Sequence, residues 1–180
     1  MTEDEKNTFL KEVYNRGFEY EKKYGFCSQA VVGALQDYFE GIDDQVFKAV
    51  HPLAGGGALC CDGSCGALMG AAAAVGCFFG RSRNEFAQKS SDGWTKSSLI
   101  AKKIREEFIE EFDSVICGDI QTKKMGRDFD LWDNDDFKKF EEAGAHTEHC
   151  PDVTGKTAAI AARILLEHGI NPRETAASID

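Results

Sequence analysis

The chain has 180 residues, the size of one domain, and can bury about 70% of its unfolded surface, so a core forms without a metal or disulfide. Its 31 acidic residues outnumber 21 basic ones and leave a net charge of −10, which repels both a nucleic-acid backbone and an anionic membrane surface. Only three prolines, with 42% hydrophobic residues, argue against disorder.

The opening Met1-Thr2-Glu3-Asp4-Glu5-Lys6 is acidic, with no apolar signal core behind it. The first helix is predicted from Phe9, Val13, Gly17 and Tyr20, flanked by Leu10, Tyr14 and Phe18, and ends at Gly25. Cys27-Ser28-Gln29 opens a second, with Val31, Leu35, Tyr38 and Phe39 inward and Gly41 as its stop. Asp43-Asp44 caps a short helix through Val46, Phe47 and Val50. After Pro52 the run Gly55-Gly56-Gly57 reads as a flexible connector; without a following Gly-Lys-Ser/Thr it is not a phosphate loop.

Ser64 to Gly80 reads as a buried helix, on which Gly66, Gly70 and Ala74 leave one face of nearly bare backbone. Its nearly uncharged stretch, Cys65 to Phe79, is 15 residues, short of the ~18–20 that span a bilayer. Ser91-Asp92 caps a long amphipathic helix with Ile100, Ile104, Phe108 and Phe112 inward; Glu106, Glu107, Glu110 and Glu111 lie on its solvated face. Residues 121–148 form a polar, acidic excursion holding one helix, Asp133 to Ala143. Pro151 starts a last helix with Thr157, Ile160, Ala161, Ile164 and Leu165 inward, stopped by Gly169 and Pro172. Residues 171–180 read as a flexible tail. No strand alternation and no repeat is visible, so the expected fold is all-α, a single helical bundle over residues 1–180 in a soluble, cytoplasmic protein.

Seven cysteines in such a chain point to metal or redox chemistry rather than a disulfide framework. Cys27, Cys65 and Cys150 stand at predicted helix starts, and Cys117 ends the loop after the long helix. A helix start offers unpaired N–H groups and about half a unit of positive charge, which stabilises a thiolate. Cys77 lies 12 residues beyond Cys65 on the same helix, roughly 18 Å along the axis, so the two cannot share a metal. Cys77 reads as core, and Cys60 and Cys61 as spare ligands or resolving thiols. His146 and His149 read as solvated surface. There is no Cys-x-x-Cys for a thioredoxin-like pair or zinc knuckle, and no Cys-x-x-Cys-His for haem c.

The segments Cys27-Ser28-Gln29-Ala30, Cys65-Gly66-Ala67-Leu68-Met69-Gly70, Cys117-Gly118-Asp119-Ile120 and Cys150-Pro151-Asp152-Val153 resemble a redox-active family with four dispersed cysteines around a C-G-A-x-x-G core. The resemblance spans roughly Gly17 to Gly169 and implies four functional cysteines: Cys27, Cys65, Cys117 and Cys150. The family is also similar to part of a split-Soret cytochrome associated with a non-haem iron–sulfur centre; that suggestion carries over here without the haem.

Three readings follow. In the first, the four thiolates converge to bind an iron–sulfur cluster, or zinc as the alternative, for electron transfer or redox sensing with an unknown redox partner protein. In the second, the protein is a metal-free thiol–disulfide protein with Cys65 as the reactive thiol. In the third it is a non-enzymatic helical module, and a dimer fits any of the three.

Overall fold

The computed structural model describes residues 1–88 and 92–177, with the backbone alone at 92–94. Nine α-helices occupy these residues: α1 (Glu3–Tyr24), α2 (Cys27–Tyr38), α3 (Asp44–Val50), α4 (Gly66–Phe79), α5 (Arg83–Ala87), α6 (Asp92–Phe112), α7 (Cys117–Met125), α8 (Asn134–Glu142) and α9 (Cys150–Glu167). A short 3₁₀ turn, His51–Leu53, follows α3, and a π-helical turn, Ala145–His149, runs into α9. Among the described residues there is no strand; Ser64 and Ile116 form an isolated antiparallel bridge. The fold is all-α, as the periodicity predicts.

Thr2 accepts the Glu5 N–H while the Glu5 carboxylate accepts that of Thr2, so α1 starts on a reciprocal cap. Lys22 and Lys23 in its last turn complement the opposite end of the helix dipole. The buried face of α1 is Phe9, Val13, Gly17 and Glu21, four residues apart, and it lies along α9. A Cβ added at Gly155 would stand 2.7 Å from the Tyr14 carbonyl oxygen, so these two backbones are in contact. α2 meets α4 in the same way: a Cβ at Gly70 would lie 2.4 Å from the Ser28 carbonyl oxygen. The bare face expected on α4 is therefore the face on which α2 rests.

α6 packs across α4 and α9 through Ile100, Ile104, Phe108 and Phe112, all buried. The core centres on Phe39, Phe108, Leu35, Ile104, Ile164 and Leu165, each worth about 1.5–3 kcal/mol when fully removed from water. A satellite cluster of Phe129, Phe140 and Ala145 sits under the 121–148 segment. Among the described residues no helix is long and apolar enough to cross a membrane.

Three features differ from the sequence expectation, and one expectation lies outside the described residues. The excursion opens inside α7, a helix hidden by its polar residues Thr122, Lys123 and Lys124, with Ile120 and Gln121 turned inward. The Gly55–Gly57 segment is wound rather than loose: Ala58, Leu59 and Cys61 share positive φ with the glycines, and Cys61 N–H donates to Gly55 O at 2.8 Å. Such a run of left-handed non-glycine residues costs about 1–2 kcal/mol each, offset here by closed hydrogen bonds. Residues 171–177 lie against the end of α2, with Arg173 and Ala177 N–H groups donating to Tyr38 and Asp37 carbonyls. The Ser91-Asp92 cap falls outside the described residues.

Candidate functional site

Each signature cysteine heads a helix. Cys27 is the first residue of α2, behind Phe26 in the left-handed region at φ 57°, whose ring stacks on His51 with centroids 4.3 Å apart. Cys65 is the N-cap of α4, Cys117 the first residue of α7, and Cys150 the first of α9 after the π turn. The Ser64–Ile116 bridge holds two of them together: Cys65 N–H donates to Val115 O at 2.7 Å and Cys117 N–H to Gly63 O at 3.0 Å.

The capping pattern divides the helices into two groups. α1, α3, α5 and α8 are capped by side-chain oxygens of Thr2, Asp43, Ser82 and Asp133. The four headed by cysteines, α2, α4, α7 and α9, have no side-chain cap. Backbone carbonyls take several of their first N–H groups instead: Cys117 donates to Gly63 O at 3.0 Å, Gly118 to Cys61 O at 2.7 Å and Cys150 to Ala145 O. The Gly55 and Ala67 N–H groups already bond to the Cys27 sulfur.

All four cysteines line one cavity of about 470 Å³, joined by Glu21, Gln121, His146 and His149, with Phe26, Leu59, Leu131, Phe137 and Phe140 among its apolar walls. The Cys27 and Cys65 thiols hydrogen bond to each other. Cys117 donates to Cys61, which stands behind it outside the cavity lining. Gln121 Nε2 donates to both sulfurs, at 3.2 Å to Cys61 and 3.5 Å to Cys117, while its Oε1 accepts Phe129 N–H. Cys77 is elsewhere, its sulfur on the Ala73 carbonyl at 3.5 Å, and Cys60 is exposed.

The electrostatics reverse one expectation. The hydrogen bond to Cys65, followed by burial, pushes the Cys27 thiol up. That to Cys61, again with burial, raises Cys117, and burial followed by the Glu21 charge raises Cys150. At these three positions desolvation and neighbouring thiols outweigh the helix dipole. The thiol held down is Cys61, chiefly by the hydrogen bond from Cys117, with Gln121 assisting against burial.

The donors fit some centres better than others. A single tetrahedral ion needs three or four ligands meeting at one point, and among the described residues no three His, Cys, Asp or Glu side chains do so. Soft sulfur donors around a shared cavity, two of them already paired, suit a larger thiolate-bound centre instead.

Four residues lining this chamber are not evident from the sequence. Glu21 continues the four-residue stripe of α1, where Tyr20 was expected to end it, and is only 2% exposed. Gln121 lies one turn beyond Cys117 on the unexpected α7. His146 and His149, read as surface, line the cavity because the π turn folds them back ahead of Cys150. Their spacing from Cys150 was the available signal.

No curated protein and no solved structure matches the chain. The family model described as "putative redox-active protein (C_GCAxxG_C_C)" matches residues 25–164, from just before Cys27 to well beyond Cys150. With its four cysteines heading four helices around one cavity, the chain belongs to this redox-active family.

Proposed function

We propose that the protein is an electron carrier or redox sensor whose Cys27, Cys65, Cys117 and Cys150 hold an iron–sulfur centre. The observation that carries this reading is that these four cysteines, far apart in sequence and each at a helix start, line one cavity. Four helix N-termini around one cavity supply a positive potential matched to a multiply negative thiolate centre. Each iron of a binuclear centre takes two protein ligands. Cys27 with Cys65 would supply one pair, and Cys117 and Cys150 complete the set. When bound, such a centre accepts and releases single electrons.

The surrounding residues set the properties of the site. N–H groups of Gly55 and Ala67 stabilise sulfur charge at Cys27, and such bonds raise a cluster's potential. Gln121, itself buried and fixed by Phe129, orients Cys117. The apolar walls lower the polarity around the sulfurs. The electron donor or acceptor is a separate protein, and reduced thiols suit a cytoplasmic setting.

The test is anaerobic purification or reconstitution, with iron and acid-labile sulfide assayed beside the visible spectrum. Iron, sulfide and colour are expected, and Cys65→Ser should abolish them, because serine oxygen is a poor ligand for such a centre. A second reading, metal-free thiol–disulfide chemistry, draws on the hydrogen-bonded Cys61 and Cys117. A colourless, iron-free protein after reconstitution, with one fast-reacting thiol, would reverse the ranking.

A further inference from the structure

Two buried side-chain atoms beside the cysteines have no hydrogen-bond partner among the described residues: Glu21 Oε2 on α1 and Thr154 Oγ1 on α9. The residues are only 2% and 0% exposed, and both line the sulfur cavity where α1 and α9 pack together. Glu21 Oε1 lies 3.9 Å from His146 Nε2, which leaves Oε2 as the unmet acceptor. A leucine and a valine would fill the same positions with no polar atom to satisfy, and burying such atoms unpaired is disfavoured.

The cavity is also larger than four sulfur ligands call for. At a water's share of about 30 Å³ per atom, the four atoms of a binuclear iron–sulfur core fill about 120 Å³. The space measures about 470 Å³, within the roughly 300–1,000 Å³ of small-molecule pockets. Its rim is aromatic: Tyr24, Phe26 and Phe137 are exposed and all line it, with the Phe140 ring 6.1 Å from that of Phe137. Exposed apolar side chains grouped around an opening mark a binding site. Phe26 reaches its place at φ 57°, a conformation that a bulky residue holds only under constraint.

We propose that this cavity binds a small phenol, with its hydroxyl between Glu21 and Thr154 and its ring among Phe26, Phe137 and Phe140. Glu21 Oε2 calls for a donor, and the Thr154 hydroxyl has a proton to give. A single hydroxyl group serves both from one atom, donating to the carboxyl and accepting from Thr154. An ammonium group would donate to Glu21 but accept nothing from Thr154, and a carboxylate ligand would bring only acceptors to Glu21. A flat ring suits the aromatic walls through edge and face contacts. The site adjoins Cys27 and Cys150 in the same cavity, and it stands whether or not the cysteines hold a centre.

The experiment is calorimetric titration of the purified 180-residue chain with 2-naphthol and with naphthalene, which share a ring system and differ by the hydroxyl. Wild type should bind 2-naphthol roughly ten- to a hundredfold more tightly, the worth of a buried hydrogen bond to a carboxyl group. Thr154→Val and Glu21→Leu should keep naphthalene binding and lose most of that preference, whereas Thr154→Ser should retain it. Unchanged naphthalene binding shows that the pocket is intact, so a lost preference is not a lost fold. Should Glu21→Leu fail to fold, the two Thr154 variants decide. Equal affinities in wild type, binding of neither probe, or a preference that survives Thr154→Val overturns the proposal. The first two are the results for a cavity whose polar atoms are met by water alone.

Discussion

Gly70→Ala and Gly76→Ala make the same chemical change six residues apart on α4 and should have opposite effects. At Gly70 the new methyl would lie 2.4 Å from the Ser28 carbonyl oxygen and 3.1 Å from that residue's Cα. Both are backbone atoms of α2, so no side chain can swing aside. α2 must retreat by about 1 Å to restore ordinary contact, and a close-packed interior resists that. Overpacking of this kind costs about 1–3 kcal/mol, while replacing glycine inside a helix returns at most about 1 kcal/mol. A net loss of about 1–2 kcal/mol corresponds to a Tm lower by about 2–8 °C in a chain of this size. At Gly76 nothing stands within 4 Å of the added atom, so the helix gain is unopposed and Tm should rise by about 2–4 °C. Thermal and urea unfolding followed by circular dichroism read both. A Gly70→Ala protein as stable as wild type, or two shifts of the same sign, would refute the backbone contact between α2 and α4.

Cys77→Ser should leave metal content and thiol chemistry at the site unchanged and cost less than about 1 kcal/mol, because its sulfur meets only the Ala73 carbonyl and the core edge; urea unfolding and iron analysis check it. Treating metal-free protein with hydrogen peroxide should join Cys61 to Cys117, two thiols losing two electrons and two protons as peroxide becomes two waters. Peptide mapping should find that link in wild type and lose it in Cys61→Ser, whereas a Cys60–Cys117 link would contradict the observed geometry. Glu21 gives a pH signature of stability: with its folded pKa raised above the ordinary value near 4.5, the folded state holds more protons than the unfolded one between the two values. Stability should therefore fall as pH rises from that ordinary value toward the folded one, and Glu21→Gln should remove the fall; parallel wild-type and variant curves in urea titrations across pH would count against it.

The helices whose apolar residues recur in register were legible without a structure. The Ile100, Ile104, Phe108 and Phe112 stripe of α6 is buried throughout, and Asp43 and Asp133 cap the helices they precede. The small-residue face at Gly66 and Gly70 was readable because two backbones can approach only where Cβ atoms are missing. The start of α7 was not, since Thr122, Lys123 and Lys124 mask a helix whose inward face is only Ile120 and Gln121. Glu21 escaped notice for the opposite reason: periodicity arguments look for apolar residues, and the stripe places a carboxylate in that register. The shared cavity is a tertiary fact, because the cysteines are separated by 38, 52 and 33 residues. Only the local signal, a cysteine at a helix start, was present in the sequence. The winding of residues 55–61 was hidden because glycines imply freedom, whereas hydrogen bonds from Ala58, Leu59 and Cys61 remove it.

The single bridge between Ser64 and Ile116 has a consequence for the order of events in folding. It fastens the start of α4 to the start of α7 only after a loop of 52 residues has closed, and such a loop carries an entropic toll that local helix formation does not. The four signature cysteines therefore form no local chelate in the unfolded chain, since no two of them are closer than 33 residues. A centre bound only by the folded chain stabilises it by mass action. During synthesis the ribosome must pass Cys150 before the fourth thiol exists, and must finish α9 before α1 has its main packing partner. If the four cysteines hold a centre as proposed, loading would be an all-or-none event at the end of folding, and a truncated or stalled chain would leave its thiols without a centre and open to oxidation.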